Sequence, residues 1–233
     1  MRQSVTCVGF DADDTLWHNE RFFQMTQARF AELLRGHSDE EVLMDRLLAA
    51  EKRNLGHYGF GIKGFVLSMI ETAIEVTDHR VSGEVIADLL AMGREMLRHP
   101  VDLLPHARTA VETLADTHRV ILVTKGDLLD QERKLAQSGL GDLFHGVEIV
   151  SDKTADVYAR IFSDHGDGAA CGLMVGNSMR SDVRPMIDAG GWGVFVPHGQ
   201  TWEIEHAPPP DDTSRFAALD NLEALPALVN EIG

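Results

Sequence analysis

Asp11 and Asp13 stand two residues apart in the segment Asp11-Ala12-Asp13-Asp14-Thr15-Leu16, directly after the apolar run Val5–Phe10. The run reads as a buried β-strand, so both carboxylates fall at a strand's end. Like charges this close repel, and a buried carboxylate needs a cation or hydrogen-bond donors. A divalent metal meets that need, and an ionised Asp beside a metal is also a nucleophile. An acidic turn after a strand would use the same residue types, since Asp is a good turn former. The rest of the chain has to decide between these readings.

Positioning such carboxylates is the work of a sheet. Outside residues 17–100, short apolar runs alternate with helical patterns. The runs are Val5–Phe10, Arg119–Thr124, Val147–Val150, Gly172–Gly176 and Gly193–Val196. They are rich in Val, Ile and Leu with little polar alternation, as expected of parallel strands covered on both faces. Helices are predicted between them: His106–Asp116 with Pro105 at its first position, a segment in which Leu128, Leu129, Glu132, Leu135 and Ala136 keep helical spacing before a Gly139 cap, then Asp156–Ser163 and Val183–Ala189. The alternation predicts an α/β fold with a doubly wound parallel sheet, whose sites form at the carboxyl ends of strands.

Residues 17–100 read differently, as almost continuous helix. Phe22, Thr26, Phe30, Leu33 and Leu34 make one stripe. Ser38-Asp39-Glu40-Glu41 has the form of a capping box opening a second helix. Phe65, Val66, Met69, Ile70, Ala73 and Ile74 make a third stripe, and Val85, Ile86, Leu89, Leu90, Met96 and Leu97 a fourth. Four such helices can bury a core of their own as a bundle. The expected organisation is therefore a core of residues 1–16 and 101–233 with an inserted helical domain, 17–100, placed like a lid over the strand ends. Asn54–Gly64, with Gly56, Gly59, Gly61 and Gly64, reads as a glycine-rich loop between the second and third helices. From it His57, Tyr58 and Lys63 could reach a substrate; a solvated interhelical loop would look the same. Trp17 reads as a packing residue and His18, beside it, as a possible donor to substrate.

Three more elements fall at strand ends. Thr124-Lys125-Gly126-Asp127 offers a hydroxyl and N–H groups before a helix, the makings of an anion cradle. Lys153 follows Ile149-Val150-Ser151-Asp152. Gly176-Asn177-Ser178-Met179-Arg180-Ser181-Asp182 supplies polar oxygens after a core strand. Each has an ordinary structural use alone. Their order, Asp-x-Asp-x-Thr, then Thr, then Lys, then Gly-Asn-Ser-x-x-Ser-Asp, resembles the haloacid dehalogenase (HAD) superfamily, over essentially the whole chain. The insertion after the first motif is similar to that family's C1 cap, and the core would be its Rossmann-like domain.

The resemblance implies that Asp11 is a nucleophile forming an aspartyl-phosphate, Asp13 a general acid and base, and Thr124 and Lys153 the binders of the transferring phosphoryl group. It implies Mg²⁺ held by Asp11, Asp13 through its backbone carbonyl, Asn177 and Asp182. Lys125 is a further candidate for phosphate, and Tyr58, Lys63 and His18 for substrate. Asn177 stands where the family usually carries an acid; its amide oxygen can still ligate, with one formal charge fewer. Dehalogenases of the superfamily lack the second Asp, so the expected activity is Mg²⁺-dependent phosphatase on a small phosphorylated metabolite such as a sugar phosphate, glycolate phosphate or nucleoside monophosphate. A phosphomutase, a 2-haloacid dehalogenase, and a non-catalytic binding or regulatory relative are the alternatives.

Bulk composition fits. Acidic residues outnumber basic ones, 37 to 21, for a formal net charge of −16, which argues against a nucleic-acid or anionic-membrane partner. A small anionic substrate stays possible, because one metal and one Lys invert the local field. Cys7 and Cys171 both lie in apolar runs and read as buried free thiols of a reducing cytoplasm. Met1-Arg2-Gln3-Ser4 leads straight into a short strand, unlike a signal peptide, and no apolar run approaches a membrane span. The chain is expected to be a monomer or homodimer.

Overall fold

The structure, a computed structural model, describes residues 4–199 and 202–232; the segment Met1–Gln3, read above as leading into the first strand, lies outside the described residues. The chain forms two compact units. One comprises residues 1–20, 101–125 and 131–233, and the other residues 21–100 and 126–130.

The first unit is built on a parallel sheet of six strands: β1 (Cys7–Phe10), β2 (Arg119–Lys125), β3 (Gly146–Val150), β4 (Gly172–Gly176), β5 (Trp192–Phe195) and β6 (Phe216–Ala218). Their order is β3-β2-β1-β4-β5-β6. The chain winds outward from β1 in one direction and then, through β4, in the other, so β1 and β4 flank the point where a doubly wound sheet opens a crevice. Phe10 lies level with Leu122 on β2 and Val175 on β4. Asp11 and Asn177 therefore leave neighbouring strands at nearly the same height.

Alternation along the strands divides the core. Val8, Phe10, Val120, Leu122, Leu173 and Val175 pack with helices α5 (Ala107–Ala115) and α9 (Leu225–Ile232). Cys7, Ile121, Val123 and Met174 face the other way, onto Tyr158, Ile161 and Phe162 of α7 (Ala155–His165) and Met186 of α8 (Arg184–Asp188). Residues two apart share a face, so one strand serves two cores. Phe162 explains two glycines. A Cβ on Gly172 would lie 2.4 Å from its ring, and one on Gly9 3.0 Å.

The second unit holds α1 (Glu20–Leu34, which begins at the last residue of the sheet unit), α2 (Glu40–Tyr58), α3 (Ile62–Val76) and α4 (Gly83–Met96). Phe30, Leu34, Leu43, Leu47, Phe65, Met69, Leu89 and Met96 form its core. No helix among the described residues is long and apolar enough to cross a membrane.

Several local expectations are corrected. The anticipated loop 54–64 shrinks to Gly59-Phe60-Gly61, because Asn54–Tyr58 complete α2 and Ile62 opens α3. Gly59 and Gly61 take φ of 70° and 113°, the left-handed region that favours glycine. Asn54 is buried and donates to Ser68 and Glu71, which extends the helix past its apolar pattern. The capping box at Ser38 does not form: Asp39 is the N-cap, without a side-chain bond. Pro105 precedes a left-handed His106 N-cap and so lies outside its helix. Cys171 sits in a 3₁₀ turn before β4 and is only partly buried; both thiols are free. The strand β6 went unread because its three residues carry no periodicity.

Most instructive is α6 (Leu128–Ser138). Of the residues that keep helical spacing, Leu135 packs against the core, yet Leu128 and Leu129 are 59% and 70% exposed, while Gln131 and Lys134 are 3% and 8% exposed. The helix buries a polar face because that face serves Asp13, described below.

Phe162→Ala removes a fully buried ring that lies over Gly9 of β1 and Gly172 of β4. Urea unfolding of the sheet unit should show a loss of about 3–5 kcal/mol; a loss well under 1 kcal/mol would mean that the core closes over the gap.

Candidate active site

Asp11 directly follows β1, with its backbone N–H donating to the Val175 carbonyl (2.9 Å). Its carboxylate is buried and satisfied on both oxygens. Thr15 Oγ1 donates to Oδ2 (2.8 Å), and Lys153 Nζ donates to Oδ1 (2.6 Å). The same ammonium donates to Asp182 Oδ1 (2.7 Å). Asp182 accepts in turn from the Ser178 N–H (2.9 Å). Two buried carboxylates thus share one buried ammonium.

That imbalance sets the titration. Burial, then the Asp182 charge, push Asp11 up to about 7, against the pull of Lys153. For Lys153 burial works against the charge, but Asp11 and Asp182 outweigh it and hold the ammonium well above its ordinary range. The site is short of positive charge by about one carboxylate's worth.

Asn177 shows where further positive charge fits. Its carboxamide lies 3.3 Å from both Asp11 Oδ2 and the Asp13 backbone carbonyl. With the nitrogen turned toward them it donates to both. With the oxygen turned toward them, three oxygens converge from β1 and the β4 loop, the all-oxygen donor set that Mg²⁺ selects. The residues present therefore fit that ion. A glycine keeps the place open: a Cβ at Gly176 would sit 2.2 Å from Asp182 Oδ2.

Asp13 is held separately. Trp17 Nε1 donates to Oδ1 (2.7 Å), Gln131 Nε2 to Oδ2 (2.9 Å), and Lys134 Nζ to both oxygens (3.0 and 3.1 Å). Lys134 also donates to Asn19 Oδ1 (2.8 Å). Asp13 keeps more exposure than Asp11, with its side chain 23% exposed against 10%.

Thr124 ends the β2 core, buried, with its hydroxyl on the Lys125 carbonyl (3.3 Å). Lys125 donates to Glu205 Oε1 (2.6 Å) and Ser181 Oγ (2.7 Å). Glu205 Oε2 accepts from Ser178 and Ser181, both at 2.5 Å. Burial disfavours the Glu205 charge, but Lys125 and these hydroxyls outweigh it and hold the carboxyl below its usual range. Tyr158 Oη donates to the Ser181 carbonyl (3.0 Å). The loop carrying Asn177 and Asp182 is thereby tied down from several sides. Of the other expected substrate residues, His18 lies beside His198 in the sheet unit. Tyr58 is exposed at the end of α2, and Lys63 pairs with Asp127 (2.8 Å) in the second unit.

Sequence reading missed Gln131, Lys134, Glu205 and Tyr158. The first two had a signal: polar residues three apart on a helix whose apolar spacing is imperfect. Glu205 had none, since it arrives from a loop far along the chain.

The chain belongs to the haloacid dehalogenase-like hydrolase family, whose sequence profile matches residues 5–190. A haloacid dehalogenase-like family hydrolase from Xanthomonas campestris is 41% identical; the match covers 99% of this chain and 92% of that one, with a TM-score of 0.87. YfnB of Bacillus subtilis, described as a HAD-hydrolase and solved bound to magnesium, is 16% identical over 98% of this chain and 100% of its own, with a TM-score of 0.66. L-2-haloacid dehalogenase from Xanthobacter autotrophicus, solved with chloropropionic acid covalently bound, is 18% identical over 98% and 100%, also at 0.66. At those two identities the likeness is one of fold. No curated protein matches the chain. The helical insertion between β1 and β2 is the family's C1 cap.

In metal-free protein the sign of the pH effect follows from Asp11. Its carboxyl holds a proton in the folded state up to about 7, whereas the unfolded chain releases it near 4, so this group's contribution to stability falls as pH rises through that window. Mg²⁺ competes with the same proton. Thermal unfolding should show stabilisation by Mg²⁺ at about pH 8, much less at about pH 5.5, and none after EDTA. Gly176→Ala, which displaces Asp182, should lose the Mg²⁺ effect while keeping its helical circular dichroism; an undiminished effect would place the ion elsewhere.

Proposed function

We propose that the chain is a Mg²⁺-dependent phosphatase acting on a small phosphoric monoester through an aspartyl-phosphate on Asp11. The observation that carries this reading is the pair of differently placed carboxylates. Asp11 is buried against Lys153, and Asp13, two residues on, is more exposed and has donors of its own. Displacement of halide from carbon needs only a nucleophile. Displacement of an alcohol from phosphorus also needs an acid for the leaving oxygen, and the second carboxyl supplies it.

Asp11 Oδ attacks phosphorus, forming an O–P bond as the ester P–O bond breaks. Asp13 delivers its proton to the leaving alcohol oxygen. Asp13 then takes a proton from water as that water attacks the same phosphorus, and the Asp11–phosphorus bond breaks to release inorganic phosphate. For either transfer one Asp13 oxygen must be let go by Lys134 or Gln131. Lys153, with Thr124, would bind non-bridging phosphoryl oxygens, where developing charge makes a preplaced cation most effective. Asp11, the Asp13 carbonyl, Asn177 and Asp182 would hold Mg²⁺, which when bound supplies positive charge beside the phosphoryl group and keeps Asp11 ionised. The substrate class is a small phosphorylated metabolite. The acidic surface gives no support to nucleic-acid or membrane partners, and the free thiols suit a reducing cytoplasm.

Phosphate release from p-nitrophenyl phosphate and a panel of metabolite phosphates, with Mg²⁺ or EDTA, tests this. Release should require Mg²⁺, vanish in Asp11→Asn, and fall about 10²–10⁴-fold in Asp13→Asn for substrates with poor leaving groups. Chloride release from 2-chloropropionate with no phosphate release from any ester would assign the dehalogenase chemistry instead.

A further inference from the structure

Asp14, His18 and His198 form a second cluster that the reaction above leaves unused. They come from the turn after β1 and, almost the whole chain later, from the loop after β5. His198 Nε2 lies 3.6 Å from Asp14 Oδ1. The two imidazole rings meet edge to face, with centroids 5.7 Å apart. One ligand atom of each residue lies within 4.8 Å of those of the other two. All three are in the sheet unit.

The donor types matter. Two imidazole nitrogens and one carboxylate oxygen form a borderline-soft set suited to Zn²⁺ and its neighbours in the first transition row, whereas Mg²⁺ selects oxygen. The carboxylate is already oriented. Asp14 Oδ1 accepts from the Asn19 N–H and Oδ2 from the Glu20 N–H, both at 2.8 Å. Such bonds fix a ligand from behind and leave a lone pair on each oxygen. Asp14 also sits at φ 61°, a left-handed conformation, and its side chain meets the N–H groups of Asn19 and Glu20 where α1 begins. Three atoms no more than 4.8 Å apart lie within about 2.8 Å of a common centre. Side-chain movements of up to about 0.8 Å bring them to the 2.0–2.2 Å of Zn²⁺ bonds, leaving a fourth position for water.

We propose that Asp14, His18 and His198 bind one Zn²⁺-like transition-metal cation per chain, at a site separate from the Mg²⁺ position at Asp11. Such an ion ties the lead into α1 to the loop after β5, one residue from Asp13. A simple ion pair between Asp14 and His198 is the competing use of the same residues.

Zn²⁺ is titrated calorimetrically into EDTA-stripped, dialysed full-length protein holding excess Mg²⁺, and Co²⁺ is added in parallel to read coordination from its visible absorption. The expected result is one tight site that survives Mg²⁺ and Asp11→Asn, with Co²⁺ bands of the tetrahedral type. His18→Ala and His198→Ala should each weaken it about 100-fold or more. Using two variants from separate segments guards against a folding defect in either, and circular dichroism checks both. No binding, or binding that His18→Ala and His198→Ala leave unchanged, or loss of the site in Asp11→Asn, would overturn the assignment.

Discussion

One ammonium group between two carboxylates governs this molecule. Lys153 reaches Asp11 and Asp182 at 2.6 and 2.7 Å, with all three side chains buried or nearly so. Each carboxylate accepts a further hydrogen bond, Asp11 from Thr15 and Asp182 from the Ser178 N–H, which helps to offset the cost of burial. Burial first, and then the negative charge that Lys153 leaves uncancelled on Asp182, make Asp11 resist ionisation. Removing Lys153 would leave two buried carboxylates facing each other without a counter-charge, whereas removing either carboxylate would leave one balanced pair. The same imbalance is what the proposed Mg²⁺ would relieve.

The fold exists, in this sense, to bring that unit together. Asp11 leaves β1 and Asp182 follows β4, its neighbour, while Lys153 follows β3 on the far side of β2. The order β3-β2-β1-β4 makes these ends converge although they are separated by up to 171 positions in the chain (182 − 11). Around them lie supports that no single motif announces. Glu205 gathers Lys125, Ser178 and Ser181, Tyr158 caps the Ser181 carbonyl, and α6 turns Gln131 and Lys134 inward to Asp13.

What could be read in advance divides along a physical line. The strands and the order of the charged motifs were legible because buried parallel strands are continuous apolar runs and catalytic residues sit at their ends. Asp11 was read as a candidate from its own motif, and Lys153 and Asp182 became candidates through the order of motifs that resembles the family's. The face of α6 was misread because hydrophobic periodicity assumes that apolar residues go inside, and Asp13 reverses the rule locally: its two oxygens are worth more to Gln131 and Lys134 than burial is to Leu128 and Leu129. The loop at 54–64 was drawn too long because buried Asn54 holds α2 through side-chain bonds that no propensity records. Glu205 and the pairing of His198 with Asp14 are contacts across long stretches of sequence and leave no local trace.

The central claim is that Asp11, kept beside Lys153, carries the phosphoryl group covalently. Acid quenching of the Mg²⁺-loaded chain during turnover of p-nitrophenyl phosphate, followed by peptide mass spectrometry, tests it directly. The account predicts one phosphoryl group on the peptide containing Asp11, and on no other. Phosphate released at full rate with that peptide unmodified at every quench time would contradict it, and would mean that water attacks the ester without the help of Asp11.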